Sequence, residues 1–192
     1  MEEDYLKGRG AQIKTENKFL KAHYVAQHIE GLDEPLLENP HTQIFQENAR
    51  KILNRVDSPD LGFGFSMNPY QGCEHGCIYC YARNTHEYYG FSAGLDFESK
   101  IIVKRNAPQL LEKELLRPTW NAVPIMLSGN TDCYQPQEKK FEITRKMLKV
   151  LANYRHPVSI ISKNSLVLRD LDLLQDLAAD NLVHVYISIT TL

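Results

Sequence analysis

The sequence lacks the apolar segments that would place a protein in a membrane or direct it out of the cell. No apolar stretch approaches the roughly 20 residues needed to span a bilayer. The chain begins with the acidic run Met1-Glu2-Glu3-Asp4 and no apolar core follows, which argues against a secretory signal. It also lacks a strong charge of either sign: the net charge is -2, so no overall basic field would recruit nucleic acid. What remains is the composition of an ordinary globular protein, with 43% hydrophobic and 24% charged residues.

Cysteine is scarce as well, yet three of the four cysteines lie in one short loop. Cys73, Cys77 and Cys80 follow the spacing C-x3-C-x2-C. Three thiols cannot all pair with one another, and four cysteines in a chain of this size do not resemble a disulfide framework. Three thiolates can instead bind three irons of a four-iron cubane and leave the fourth iron open. An iron with an open position indicates a catalytic site. Thiols that bind iron need a reducing compartment, so we expect the protein in the cytoplasm.

A structural zinc site is the alternative interpretation of this loop, with His75 or Cys133 as the fourth ligand. Zinc sites usually combine two C-x2-C pairs, or one such pair with histidines, and the sequence contains no second pair. His75 also lies between two of the cysteines, which makes it awkward for the loop to wrap one ion. The spacing therefore favours an iron-sulfur cluster. A non-enzymatic module that binds zinc or relays electrons, with or without a nucleic-acid partner, stays as the alternative function.

The first 60 residues are predicted to form an N-terminal extension with one helix. Residues 1 to about 38 show few periodic apolar positions and read as an irregular leader. Beyond them, apolar residues recur at helical spacing and predict a helix that begins near Thr42. These residues are Phe45, Ala49, Ile52 and Val56.

Residues 61–192 alternate between strand and helix patterns. Short apolar runs predict four strands, at residues 63–67, 123–127, 158–162 and 183–189. Amphipathic patterns predict the helices between them, at residues 106–116, 136–151 and 168–178, the first of them capped by Asn106. Strands that alternate with helices and are apolar on both faces predict a parallel α/β sheet.

Polar residues follow the carboxyl ends of these strands, which is where the active-site residues of (β/α) barrels lie. The cysteine loop follows the first strand, residues 129–132 follow the second, and Lys163 and Ser188 lie at the ends of the third and fourth. Right-handed crossovers put these strand ends on one side, so we expect the residues to meet around one site. The chain stops directly after the fourth strand, which would leave that strand uncovered. We therefore expect a fragment of a longer protein or a partner over this strand, the alternative being a natural stop with the fourth strand inside the sheet.

The cysteine loop, with Tyr79 directly before its last cysteine, resembles the loop of the radical S-adenosylmethionine superfamily. Further motifs resemble an uncharacterised branch of that superfamily related to spore photoproduct lyase. They are Gly8-Arg9-Gly10-Ala11, Tyr81-Ala82-Arg83, Thr85-His86-Glu87-Tyr88, Gly94-Leu95-Asp96-Phe97-Glu98 and Thr131-Asp132-Cys133-Tyr134-Gln135-Pro136. The resemblance implies a partial, TIM-like (β/α)6 barrel, of which residues 61–192 cover the first four units. It also implies a [4Fe-4S] cluster on Cys73, Cys77 and Cys80, with S-adenosylmethionine on the open iron.

The resemblance further implies an activity and a set of cofactor-binding residues. A flavodoxin- or ferredoxin-like protein would donate one electron, S-adenosylmethionine would be cleaved, and a 5'-deoxyadenosyl radical would take a hydrogen atom from an unidentified substrate. The implied positions are Tyr79 near the adenine, Asn130, Thr131 or Asp132 near the amino group, Lys163 at the carboxylate and Ser188 in the same pocket. Gly129 occupies the place of the hydrogen-donating cysteine of the lyase, so reversal of a DNA lesion is not expected. Cys133, four residues on, is the nearby thiol that could act as a catalytic hydrogen donor.

Several of these residues also have an ordinary structural interpretation. Cys133 is typical of a small buried hydrophobic residue, and Asp132 of a turn or a helix cap. Lys163 is equally typical of a solvated loop lysine. His86 and Glu87 are expected to be solvated or hydrogen-bonded locally.

Overall fold

The structure is a computed structural model that describes residues 5–20, 41–61 and 64–189. The chain divides into two compact units, and each unit is built from two separate stretches of sequence. The first unit comprises Met1–Phe45 and Gly72–Ile101, and the second comprises Gln46–Gln71 and Ile102–Leu192. Both helices and strands are present, so the protein is of mixed α/β class.

In the described ranges the strands are β1 (Gln43–Gln46), β2 (Leu53–Arg55), β3 (Phe65–Met67), β4 (Tyr70–Gln71), β5 (Lys100–Val103), β6 (Ile125–Leu127), β7 (Val158–Ser162) and β8 (Val183–Ile187). The α-helices are α1 (Leu95–Ser99), α2 (Ala107–Leu115), α3 (Glu138–Phe141), α4 (Ile143–Asn153) and α5 (Leu171–Ala179). Two 3-10 helices cover Tyr81–Tyr89 and Ser165–Asp170. None of the helices in these ranges combines the length and the apolar character that crossing a bilayer requires.

The predicted parallel sheet is confirmed in the second unit. Five strands lie in the order β2-β3-β6-β7-β8, and the four from β3 to β8 pair in parallel. The register places Ile125 opposite Phe65 on one side and opposite Val158 on the other. Strand β2 adds an antiparallel edge that the sequence patterns did not predict. A smaller sheet has the order β1-β5-β4, with Tyr70 opposite Val103.

The helix predicted across residues 42–56 is wrong, because this stretch forms strands β1 and β2. Ala49 and Ile52 are buried as the helical pattern required, but they lie in the segment that connects the two strands. The side chain of Asn106 explains part of the difference. Its Oδ1 accepts from the N–H of Ala49 at 3.2 Å, and its Nδ2 donates to the carbonyl of Ala49 at 2.9 Å. Asn106 therefore binds both backbone groups of Ala49, and it does not cap α2 through its side chain as predicted.

Strand β8 is the last strand of the five-stranded sheet, and its C-terminal residues are exposed to solvent. Val185, Tyr186 and Ile187 all keep a large share of their surface in contact with solvent. The strand lies at the end of the sheet order, so the alternative that placed it inside the sheet is wrong for the described strands.

The helix predicted from residue 136 is divided into two pieces at Glu142. Helix α3 ends and α4 begins at this residue, which has a φ of 51°, in the left-handed region. The predicted apolar face is nevertheless present, because Phe141, Thr144, Leu148 and Leu151 are all buried. A side chain with a Cβ is strained in the left-handed region, by about 1–2 kcal/mol.

We expect the substitution Glu142→Gly to stabilise the protein by about 1 kcal/mol, because glycine adopts positive φ without strain. The matched control is Glu142→Ala, which removes the same exposed side chain and keeps the Cβ. Urea denaturation of both variants checks the prediction. Equal stabilities for the glycine and alanine variants would show that the positive φ at residue 142 causes no measurable strain.

Candidate functional site

The three cysteines of the loop lie in the first unit, and none of them is in a disulfide. Cys73 is buried in a small apolar cluster with Ala82 and Phe97, and Cys80 packs against this cluster. Cys77 and Cys80 are half-buried. Their sulfur atoms are not linked to one another or to Cys133 by a disulfide.

Backbone hydrogen bonds hold both ends of this loop. The N–H of Cys73 donates to the carbonyl of Phe97 at 2.9 Å, and the N–H of Cys80 donates to the carbonyl of Cys77 at 3.3 Å. Gly72 has a φ of 79°, and a Cβ there would lie 2.9 Å from the carbonyl oxygens of Lys100 and Phe97. Glycine is therefore required directly before Cys73, where the chain enters the loop.

A buried ion pair adjoins the loop. The guanidinium of Arg83 donates to the carbonyl of Cys77 through Nη2 at 2.8 Å and through Nε at 3.3 Å. The same Nη2 pairs with the carboxylate of Glu98, which is fully buried. A cavity of 340 Å³ opens here, lined by Cys80 and Arg83 together with Gly10 and Ala11 of the N-terminal segment. The loop is thus held by residues that are distant in sequence.

The three thiols do not converge on one point in this structure. Among the residues that it describes, no group of three or more His, Cys, Asp or Glu side chains is arranged to hold a metal ion. His75, the candidate fourth zinc ligand, has its Nδ1 3.5 Å from the Sγ of Cys73. What the fold supplies is one anchored segment that carries all three thiols.

The aromatic residue of the loop, Tyr79, lies exposed between Cys77 and Cys80, with 63% of its surface accessible. Its neighbours Ile78 and Tyr81 are exposed as well. The loop therefore presents apolar and aromatic side chains to solvent beside two half-buried thiols.

The turn after strand β6 belongs to the second unit and carries the next set of predicted residues. It begins at Ser128, whose φ of 74° lies in the left-handed region. At Gly129 a Cβ would lie 3.0 Å from the Cβ of Ser66 on β3. The neighbouring strand therefore leaves little room for a side chain at Gly129.

Asn130 and Thr131 are tied to the segment that follows β3. The N–H groups of both residues donate to the Oδ1 of Asn68, at 2.8 and 3.3 Å. The hydroxyl of Thr131 donates to the carbonyl of Tyr70 at 2.6 Å, and the Nδ2 of Asn130 donates to the Oε1 of Gln71 at 3.3 Å. Thr131 is buried and its hydroxyl is used within the protein, whereas Asn130 is half-exposed.

Asp132 joins the carboxyl ends of strands β6 and β7. Its carboxylate accepts from the hydroxyl of Ser162 at 2.9 Å, from the N–H of Lys163 at 3.0 Å and from the N–H of Tyr134 at 2.8 Å. The carbonyl of Ser162 in turn accepts from the N–H of Ser188 at 2.9 Å. The fold therefore brings Asp132, Lys163 and Ser188 to one edge of the sheet, as the parallel strand order predicted. The contacts of Asp132 are those of a turn residue.

Cys133 is fully buried beside this turn. Its N–H donates to the hydroxyl of Ser128, and its carbonyl accepts from the hydroxyl of Thr144, both at 2.6 Å. Burial raises the pKa of the Cys133 thiol well above its ordinary value, and the nearby carboxylate of Asp132 raises it further. The thiol therefore stays protonated and out of reach of solvent, which matches the interpretation of Cys133 as a small buried residue.

Two buried polar groups were not anticipated from the sequence. Glu138 is fully buried in the second unit and accepts from the hydroxyl of Tyr70, the N–H of Thr144 and the guanidinium of Arg169. A glutamate at the start of an amphipathic helix gives no signal of such burial. His86, which was expected to be solvated or hydrogen-bonded locally, is fully buried beside aromatic rings in the first unit, and this burial lowers its pKa to about 4.

Comparison with known proteins gives relatives without an assigned activity. No family model and no solved structure matches the chain. The chain is 38% identical over 142 residues to an uncharacterized protein of Mycobacterium tuberculosis, an alignment that covers 73% of this chain and 42% of that protein. It is 35% identical over 135 residues to an uncharacterized protein of Methanocaldococcus jannaschii, covering 70% and 48%. The chain therefore spans less than half the length of these relatives.

A more distant similarity reaches an uncharacterized protein of Acidianus two-tailed virus, which is 28% identical over 122 residues. This alignment covers 61% of the chain and 40% of that protein. Sequences of bacterial, archaeal and viral origin thus share the larger part of this chain.

We expect the substitution Asp132→Ala to lower the free energy of unfolding by about 1–3 kcal/mol, because the buried hydroxyl of Ser162 and the N–H of Lys163 would lose their acceptor. The matched control is Asp57→Ala, which removes an exposed carboxylate paired with Arg55 and should cost less than about 1 kcal/mol. Urea denaturation measures both. Equal losses for the two variants would show that Asp132 does not stabilise the strand ends.

We expect alkylation of the metal-free protein near neutral pH to label Cys77 and Cys80 and to spare Cys73 and Cys133. The reason is access: the first two thiols are half-exposed, and the last two are buried. Mass spectrometry of peptides after a short reaction with iodoacetamide checks this pattern, and the unfolded protein serves as the control in which all four react. Rapid labelling of Cys133 in the folded protein would contradict its burial.

Proposed function

We propose that this chain is part of a radical S-adenosylmethionine enzyme that binds a [4Fe-4S] cluster through Cys73, Cys77 and Cys80. The observation that carries the proposal is that three thiols outside any disulfide lie on one loop, whose backbone is hydrogen-bonded at Cys73 and Cys77. The relatives are uncharacterized, so the support comes from the residues of the chain and from its resemblance to that superfamily.

The chemistry of the donor set fits this group. Thiolates are the usual ligands of iron-sulfur clusters, and three of them leave one iron for another ligand. Binding requires the three side chains to turn toward a common point, because they do not form a metal-binding group among the described residues. When bound, the cluster would supply the electron for cleavage of S-adenosylmethionine and so begin the abstraction of a hydrogen atom from a substrate.

The remaining cofactor contacts are proposed for exposed or half-exposed residues. Tyr79 offers an aromatic face on the loop, and Lys163 offers a positive charge suited to a carboxylate. Asn130 and Ser188 offer polar groups at the carboxyl edge of the sheet. Asp132 and Thr131 would act by positioning the turn, since their side-chain oxygens bond within the protein. Cys133 could donate a hydrogen atom only if this turn opened.

We further propose that strands β3, β6, β7 and β8 are the first four strands of a partial, TIM-like (β/α) barrel. Their parallel pairing in sequence order, with helices between them, supports this architecture. A flavodoxin- or ferredoxin-like protein would be the electron donor. We place the enzyme in the cytoplasm, because thiols that bind iron need a reducing compartment.

The test is anaerobic reconstitution of the intact protein with iron and sulfide, followed by reduction and addition of S-adenosylmethionine. We expect about four irons and four sulfides for each chain, and the release of 5'-deoxyadenosine and methionine. Cys77→Ala should abolish the brown colour and the products. Cys133→Ala is the matched control for cluster content, because it removes a buried thiol outside the loop.

Three results would count against the proposal. One zinc for each chain without sulfide would favour the non-enzymatic metal-binding module. A full cluster in the Cys77→Ala variant would contradict the ligand assignment. A reduced, cluster-loaded protein that leaves S-adenosylmethionine intact would refute the enzymatic function.

A further inference from the structure

We infer that Glu98 and Arg83 are positioning residues that set the place of Cys77, and that residues 9–11 of the N-terminal segment belong to the same assembly. The inference rests on the proposed function, because it assigns these residues to the placement of a cluster ligand. All of them lie in the first unit.

Glu98 is the centre of this assembly. It lies on helix α1 with 0% of its surface exposed. Its Oε2 accepts from the N–H of Gly10 at 3.0 Å, and its Oε1 accepts from the N–H of Ala11 at 2.9 Å and from Arg83. The backbone carbonyl of Glu98 accepts from the Nη1 of Arg9 at 2.7 Å. A buried carboxylate is costly unless it is paired and hydrogen-bonded, and here both oxygens have donors from distant segments.

Arg83 connects Glu98 to the cysteine loop, because it binds both the carboxylate of Glu98 and the carbonyl of Cys77. Two of its nitrogens donate to the carbonyl of Cys77, and Nη1 donates to the carbonyl of Gly94 at 3.3 Å. Its side chain is only 13% exposed. A planar guanidinium can reach the carboxylate of Glu98 and the carbonyl of Cys77 at once, which the single ammonium of a lysine cannot do with the same geometry. Glu98 therefore orients Arg83, and Arg83 orients the backbone of Cys77.

The N-terminal segment lies directly against the loop. A Cβ on Gly10 would lie 1.9 Å from the carbonyl oxygen of Gly76, the residue before Cys77. Gly76 itself has a φ of 64°, in the left-handed region. The close approach of these two glycines lets the amides of Gly10 and Ala11 reach the carboxylate of Glu98. A stretch of sequence more than sixty residues before the cysteines thus helps to shape their loop.

The consequence concerns how tightly the loop would hold iron. Residues that orient metal ligands without touching the metal typically change metal affinity by about 10–100-fold when they are replaced. Glu98→Gln keeps the shape of the side chain but removes the charge that pairs with Arg83. Arg83→Lys keeps the positive charge beside Glu98 but loses the paired donors to the Cys77 carbonyl.

The test compares the wild-type protein with Glu98→Gln, Arg83→Lys and the control Glu87→Gln after anaerobic reconstitution. Glu87 is a suitable control, because it is also a buried carboxylate of the first unit and pairs with Lys18 at 3.2 Å. The measured quantity is the rate at which a chelator removes iron from each oxygen-free protein. We expect the Glu98 and Arg83 variants to lose iron about 10–100-fold faster than wild type, and the Glu87 variant to match wild type.

Two further readouts separate positioning from general stability. Thermal melting of the metal-free proteins measures folding, and the electron paramagnetic resonance spectrum of the reduced cluster reports its surroundings. Positioning predicts that Arg83→Lys loses iron rapidly and shifts the spectrum while its melting temperature stays close to wild type. If Glu98→Gln does not fold, the iron-loss rate, melting temperature and spectrum of Arg83→Lys alone test the positioning role.

The inference is overturned if both variants retain iron as tightly as wild type. It is also overturned if iron loss follows melting temperature across all variants, the Glu87 control included, since the residues would then act only through stability. If the wild-type protein itself binds no cluster, the proposed function fails and the inference fails with it. Retention of a cluster by wild type and by both variants refutes the positioning role alone.

Discussion

The first unit depends on one carboxylate that has no access to water. Glu98 accepts hydrogen bonds from the N-terminal segment and pairs with Arg83, whose other donors hold the carbonyl of Cys77. Removing a negative charge from water costs several kcal/mol unless donors replace the lost hydration. The N-terminal segment and the helix that carries Arg83 supply those donors, so both must stay beside Glu98, and Arg83 holds the carbonyl of Cys77 from there.

The second unit uses buried acids in a related way. Asp132 accepts from groups at the end of β7 and so ties the turn after β6 to the neighbouring strand. Glu138 accepts from a tyrosine hydroxyl, a backbone N–H and an arginine of the same unit. In each case the side chain replaces the hydrogen bonds that irregular backbone cannot make with itself.

Sequence patterns predicted the regular part of the fold more reliably than its irregular part. The sequence predicted the four parallel strands because short apolar runs between helical patterns are typical of strands that are buried on both faces. The helix expected at residues 42–56 is absent, in part because Asn106, far along the chain, binds both backbone groups of Ala49. The break at Glu142 was equally invisible, because its flanking residues keep the helical apolar spacing on both sides.

The sequence by itself determined the spacing of the three thiols and the order in which polar residues follow the parallel strands, since both depend only on neighbours along the chain. Tertiary structure decided which of those polar groups remain accessible. The carboxylate of Asp132 and the hydroxyl of Thr131 form hydrogen bonds within the protein, and the thiol of Cys133 is buried. Tertiary structure also gave Glu98 its partners, which lie up to 89 residues away. The physical reason is that hydrogen bonds and burial depend on which distant segments come into contact. The local spacing of apolar residues does not predict those contacts.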